Sequence, residues 1–433
     1  MQNEKEIAFS FYILAFILIY SFSSRIIIYY LQIPNILNLA IFPLIFILYF
    51  FKPMNFQNTY QQKNNLFLYI FFFICSISNL INDISFSNLF LFLIVFCFPF
   101  FLLRYQIQID KNKFYINKIN SLLFNLMILN NITSLIQYFI FGYRVDDIKG
   151  IFIEQGLGHH INGAINFFYS IYHYGLYRDN LKIKNILIIL ICLFITFISD
   201  TKTIIFATLV CIMIIPVLIL LSRIFITAAE RKNILLPSIF YLILILVLAV
   251  FILKFVQIPV IGHVNYDYLK DGFTVKYNFF KLIENSSLID FLFGKGAAMV
   301  TSKLAIMSNL SNRYDNFLDF LNFTKSDLTY YINIIEVNNF YSNPSTGSSL
   351  FQLTFSHGSI FAEVGLVGLL VYTLLIYNLF KFNYLDYFSI VLSSSIYLLG
   401  FVFTWLEESI FISFIMIVLI CYKNKDLIVK KNF

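Results

Sequence analysis

The feature that most constrains this chain is a rhythm of long apolar runs separated by short polar segments. They fall at roughly residues 7–29, 36–51, 66–81, 87–103, 119–141, 161–177, 185–199, 203–222, 234–255, 359–380, 385–403 and 409–422. A helix crosses the hydrocarbon core of a bilayer with about 20 apolar residues, range about 17–25. A transmembrane strand needs about half that number and alternates in character, which these runs do not. Helices satisfy every backbone group internally and are the remaining way to bury such runs in lipid. The expectation is an all-α polytopic membrane protein with about twelve transmembrane helices. Composition agrees: 60% of the 433 residues are hydrophobic, 12% are charged, and mean hydropathy is +0.81. A soluble domain has nowhere to bury that much apolar surface.

The net charge of +7 does not point to nucleic acid, because much of the lysine excess lies in short loops and the C-terminal tail. Basic charge in short loops sets membrane orientation. The segments "RYQIQIDKNKFYINK", "YRDNLKIKN", "SRIFITAAERKN" and "YKNKDLIVKKNF" are all basic. Alternation across twelve spans puts all four, and both termini, on one side, read as the cytoplasm. The N-terminus lacks a short apolar region with a cleavage site and reads as a retained first span. Cys75, Cys97, Cys192, Cys211 and Cys421 lie in or beside apolar runs without metal-ligand spacing and read as small packing residues.

The chain divides into three stretches on this topology. Residues 1–255 hold nine spans with an outer loop near 142–161, residues 256–356 form one long outer subdomain, and residues 357–433 hold three spans and the basic tail. A connection of about a hundred residues is far beyond ordinary loop lengths and marks a functional segment. Amphipathic pieces within it read as short helices over the outer mouth. Short turns at Tyr30–Asn35, Asn82–Ser85, Asp200–Lys202 and Trp405–Glu408 face the same way.

Arginine is scarce, and Arg25, Arg144 and Arg313 stand on the side that positive charge normally avoids. A guanidinium there suits a phosphate or diphosphate, which its planar fork grips through two parallel hydrogen bonds. A solvated charge is the alternative reading for each. Arg25 stands at a span end, from which a long side chain can snorkel to the interface. Around Arg144 cluster Asp146, Asp147, Lys149, Glu154, His159 and His160, within a loop loosened by three glycines. Paired histidines near carboxylates raise the question of a divalent cation. Adjacent side chains do not readily converge on one ion, however, so no metal is expected. The tight "SDTKT" turn sets Lys202 at the membrane surface, either in a local ion pair or beside an anionic substrate. In "FSHGSIFAEVGLVGLLVY", His357 and Glu363 stand where the long outer segment re-enters the membrane. An ionisable group inside a span is a functional candidate by default. The two are six residues apart, about 120° around a helix of 3.6 residues per turn, so they read as separate contributors and not a dyad. Gly365 and Gly368 read as a close-approach surface for another helix.

This constellation resembles the bacterial O-antigen polymerase and ligase superfamily. "SHGSIFAEVGLVGLLVYTLL" is similar to that family's histidine-led segment, which enters a span through Glu-x-Gly-x-x-Gly. "YRVDDIKGIFIEQGLGHHIN" is similar to its outer loop, where an arginine precedes a Gly-hydrophobic-Phe turn. "FLFGKGAAM" resembles a Phe-Gly-x-Gly step in its long outer loop. Two departures stand out: Lys202 replaces an arginine common in relatives, and Gly358 follows His357 where asparagine is commoner. The resemblance implies a metal-independent, cofactor-free glycosyltransferase of the bacterial inner membrane, with its site facing the periplasm. The implied reaction polymerises undecaprenyl-diphosphate-linked oligosaccharide repeat units into O-antigen or capsule-type polysaccharide. Membrane lipid and a chain-length regulator protein are the further implied partners, and nucleic acid is not one. His357 and Glu363 are the implied catalytic candidates. Arg144, Arg313, Lys202, His159 and His160 are the candidates for holding the diphosphate. An O-antigen ligase acting on lipid A core shares the architecture. A lipid-linked oligosaccharide flippase would instead show more charges lining its spans and needs no large outer subdomain. A secondary transporter would show matching broken spans in two halves, which are not evident.

Overall fold

The computed structural model describes residues 4–31, 41–51, 59–110, 112–144, 147–153, 158–178, 181–199, 287–302, 319–327, 354–381, 387–402 and 404–429, with isolated residues between them. Among these residues the chain is helical, without strands. The helices that matter below are α1 (Glu4–Leu31), α2 (Ile41–Phe51), α3 (Thr59–Ile81), α4 (Phe86–Ile109), α5 (Lys113–Phe139), α6 (Gly158–Tyr177), α7 (Ile183–Ile198), the short α8 (Leu288–Phe293), α9 (Ser356–Lys381), α10 (Tyr387–Val402) and α11 (Ser409–Lys423). Each apolar run read from the sequence falls on one of them, except 234–255, wholly outside the described residues, and 203–222, almost wholly so. Among the described residues four helices are long and apolar enough to cross a membrane: Glu4–Leu31, Phe86–Ile109, Lys113–Phe139 and Ser356–Asn378. Asn65–Ile81, Ile183–Ile198 and Ser409–Lys423 are shorter apolar helices.

Two helices form the centre. From Leu89 to Leu103 α4 is apolar all round and mostly buried, and α11 is buried from Ser409 to Tyr422. A helix with no polar face belongs in an interior. Aromatic rings fill the space around α4: Phe42 meets Phe98 edge-on at 4.8 Å, and Tyr372 of α9 lies edge-on to Phe96 at 5.8 Å. Edge-to-face contacts of this kind suit the ring quadrupole. α7 does the opposite and leaves Ile183, Leu187, Leu190 and Phe197 outward. That is the surface a lipid-facing helix presents.

Local polar chemistry sets the helix starts and ties the ends. The Ser85 hydroxyl caps α4 by accepting from the Asn88 N–H, and Asn112 caps α5 through the Tyr115 N–H. At one end of the bundle, Asp110 accepts from Lys423 at 2.5 Å and from the Asn424 amide at 2.8 Å. The Ser10 hydroxyl donates to Gln108 at the same end. Two of the basic segments read from sequence, the α4–α5 turn and the start of the C-terminal tail, therefore meet.

Phe96 is fully buried and Phe73 of α3 is 65% exposed. Phe96→Ala is expected to cost about 3–5 kcal/mol through the cavity it leaves, against little for Phe73→Ala. Thermal unfolding of the detergent-solubilised protein checks this as a lowered midpoint for the first variant alone.

Candidate functional site

At the other end of the bundle, the segment following α8 folds back onto a break in α9. Gly365 has φ 78° and ψ −176°, so the helix that begins at Ser356 stops there and restarts. A break frees carbonyls that would otherwise bond one turn on. Both neighbouring ones are taken by the incoming chain: Lys295 N–H donates to the Ala362 carbonyl at 2.9 Å, and Gly296 N–H to the Glu363 carbonyl at 3.0 Å. The approach is backbone on backbone. A Cβ on Gly365 would meet the Leu292 carbonyl oxygen at 2.2 Å, and one on Gly294 the Glu363 carbonyl carbon at 2.4 Å. At Gly365 the close approach read from sequence is made by the last turn of the short helix α8, through Leu292 and Phe293.

The Glu363 side chain completes the attachment. One carboxylate oxygen accepts from Ala298 N–H at 2.6 Å, and the other from Val300, Thr301 and Ser302 at 3.1, 2.9 and 2.8 Å. Successive backbone amides turned inward make an anion-binding nest, and here the anion is the protein's own buried carboxylate. α3 secures the same turn, with Asn79 accepting from Ala297 N–H at 2.7 Å and Asn82 donating to the Gly294 carbonyl at 3.1 Å. Asn88 exchanges two hydrogen bonds with the backbone of Thr324, docking a second piece of the long segment nearby.

His357 stands in the first turn of α9, fully buried, and faces α10. Its Nε2 donates to the Tyr397 carbonyl at 3.0 Å, and its ring lies 4.6 Å from Tyr397 and 4.1 Å from Phe401. Nδ1 has no hydrogen-bond partner among the described residues. His357 and Glu363 thus engage different elements. The buried Lys276 of the long segment places its ammonium 4.7 Å from the Phe355 ring, two residues before His357.

The arginine-bearing loop is anchored by amides. Gln137 accepts from Lys149 and Gly150 N–H and donates to the Gly150 carbonyl. Asn130 accepts from Ile151 N–H, and Asn162 donates to the Ile148 carbonyl at 3.0 Å. Gly150 has φ +58°, and a Cβ there would come within 2.3 Å of the Asn130 oxygen. The turn therefore tucks Phe152 against Phe22 of α1, with ring centres 5.4 Å apart, and leaves Arg144 exposed at the rim. His159 and His160 begin α6 beside this turn, their rings 4.0 Å apart. Lys202 and Arg313 lie outside the described residues, as do Asp146 and Glu154. Among the described residues no three His, Cys, Asp or Glu side chains gather as metal ligands.

One element was misjudged from sequence. Arg25 does not snorkel: it is 4% exposed, and its Nη2 donates to Glu408 at 3.2 Å. Glu408 begins α11 and the neighbouring Glu407 is buried too. The available signal was charge on one side, an arginine near a span end and two adjacent carboxylates in a short turn, which favours pairing over solvation.

No family model, curated protein or solved structure matches the chain.

Replacing Glu363 tests the attachment of this turn. Glu363→Gln puts a donor where Ala298 N–H needs an acceptor, at about 1–3 kcal/mol, and Glu363→Ala strands all four N–H groups at greater cost. Limited trypsin digestion of the folded protein is expected to cut after Lys295 slowly in the native chain, faster in the glutamine variant and fastest in the alanine variant.

Proposed function

We propose that the protein is a metal-independent membrane glycosyltransferase that polymerises undecaprenyl-diphosphate-linked oligosaccharide repeat units at the periplasmic face of the inner membrane. In this reading it has about twelve spans with both termini in the cytoplasm. The observation that carries the reading is the common anchoring of the three motif segments at one end of the bundle. The Gly150–Phe152 turn is held by Asn130, Gln137 and Asn162, and the Gly294–Ser302 turn by Glu363. The histidine-led segment supplies the break against which the second turn packs. These contacts give three short sequence resemblances a shared structural purpose.

The reaction would pass the growing glycan from its lipid diphosphate to a sugar hydroxyl of an incoming lipid-linked unit. The new glycosidic bond forms as the bond to the diphosphate breaks, and the hydroxyl proton must leave. Charge collects on the departing diphosphate, where cationic donors lower the barrier. Arg144, exposed at the rim, is assigned to that task together with Arg313, Lys202, His159 and His160. His357 carries the base role: with Nε2–H donating to a carbonyl, the lone pair stays on Nδ1. Glu363 is a positioning residue, since its carboxylate is filled by four backbone donors.

Deletion of the gene followed by separation of surface glycan by length tests the reading. A polymerase deletion leaves lipid core bearing a single repeat unit. Long glycan retained on the carrier lipid would point to a ligase, and loss of all surface repeats to a flippase. In complemented cells, Arg144→Ala, Arg313→Ala and His357→Ala are each expected to abolish long chains while the protein stays in the membrane. Normal chain lengths from any of them would remove that residue from the site.

A further inference from the structure

The buried pair Arg25–Glu408 has no part in the assignments above, and its placement calls for one. Arg25 lies within the long helix α1, six residues before its end at Leu31, and the two side chains are 4% and 9% exposed. Taking two charges from water is costly, and an apolar pair of similar volume often holds a protein together as well or better. A charged pair retained at such a place is a functional candidate. Its contacts lead towards His357. Glu408 closes the turn Trp405–Glu407, in which the Leu406 N–H donates to the Ser356 hydroxyl at 3.2 Å. Leu406 and His357 then meet over one small residue of α10: a Cβ on Gly400 would lie 2.7 Å from the His357 Nε2 and 2.8 Å from the Leu406 Cδ1. Two helices and one turn converge there, and the ion pair fixes the turn to α1.

We propose that Arg25 and Glu408 are a positioning pair for the transfer site: the ion pair holds the 404–408 turn on the head of α9, and through Leu406 and Gly400 it sets where His357 stands. What His357 does once positioned rests on the polymerase reading; the positioning itself does not. The pair acts by mutual charge, so its two members are interchangeable in a way that a substrate-contacting arginine is not. Exchange of the two charges restores a positioning pair and places a carboxylate where a substrate-binding cation would be needed.

The test uses the full chain with Ser356→Cys and Leu406→Cys, whose disulfide yield on mild oxidation reports the turn on α9 without any glycosyl transfer. The yield is expected to fall about fivefold in Arg25→Gln and in Glu408→Gln, and to return to within about twofold in Arg25→Glu/Glu408→Arg, because paired sites are non-additive. Arg25→Lys, which keeps the charge on a compact head, is expected to keep about half the yield. Long glycan should follow the same order in cells carrying the same charge variants without the added cysteines. Unchanged cross-linking in both glutamine variants and in Arg25→Lys would overturn the proposal, as would an exchange no better than the single variants. Cross-linking restored by exchange without restored chain length would make Arg25 a direct substrate contact and also overturn it. Cross-linking that follows the pair while wild type makes no glycan would leave the positioning intact and sink the polymerase reading instead.

Discussion

Four backbone N–H groups on one buried carboxylate hold the candidate site together. Glu363 can collect donors from Ala298 to Ser302 only because α9 breaks at Gly365 and lets another backbone come within contact. Gly294 is the matching concession on the other side, with φ +76° and no side chain to clash. An ionised carboxylate makes hydrogen bonds roughly twice as strong as a neutral acceptor does. The same group left without donors in a dry interior would be severely unfavourable. Carboxylate and turn are therefore interdependent: neither has a stable place without the other. A glutamate deep in an apolar helix is explained without a proton-transfer role of its own.

From this attachment the rest of that end follows. The turn presses on α3 through Asn79 and Asn82, and α9 begins one short helix earlier with His357 against α10. The 404–408 turn closes on the same helix start and reaches α1 through Arg25. Three residues before Arg25, Phe22 touches Phe152 of the arginine-bearing turn. Contacts thus run without a gap from the Gly150 turn to the Gly294 turn. Loops carried on rigid helices in this manner can hold charged side chains at fixed separations, as transition-state stabilisation requires.

Much of the helical layout was legible in the sequence, since apolar runs such as 87–103 and 409–422 leave a bilayer-like interior as their only home. The helix that starts at Ser356 was legible for the same reason. The break at Gly365 was not, because a glycine in an apolar run also fits unbroken helix packing. Its partner lies about seventy residues away, beyond any local pattern. Arg25 was misjudged because snorkelling and burial leave the same sequence trace, a charge near a span end, and only the fold brings Glu408 to it. The amide clamp of Asn130, Gln137 and Asn162 was also invisible, as polar residues on apolar helices give no sign of which loop they hold. His357 and Glu363 were separable from helix geometry alone, and the structure gives them partners on different elements.

The central claim is that this chain joins lipid-diphosphate-linked repeat units. The most direct measurement reconstitutes the purified protein in vesicles with its lipid-linked repeat unit and follows glycan length and released lipid diphosphate together. The account predicts glycans that lengthen by whole repeat units on the carrier lipid, with one lipid diphosphate released per unit added. Repeat units that only cross the bilayer, or stay single while the protein is folded, would contradict it.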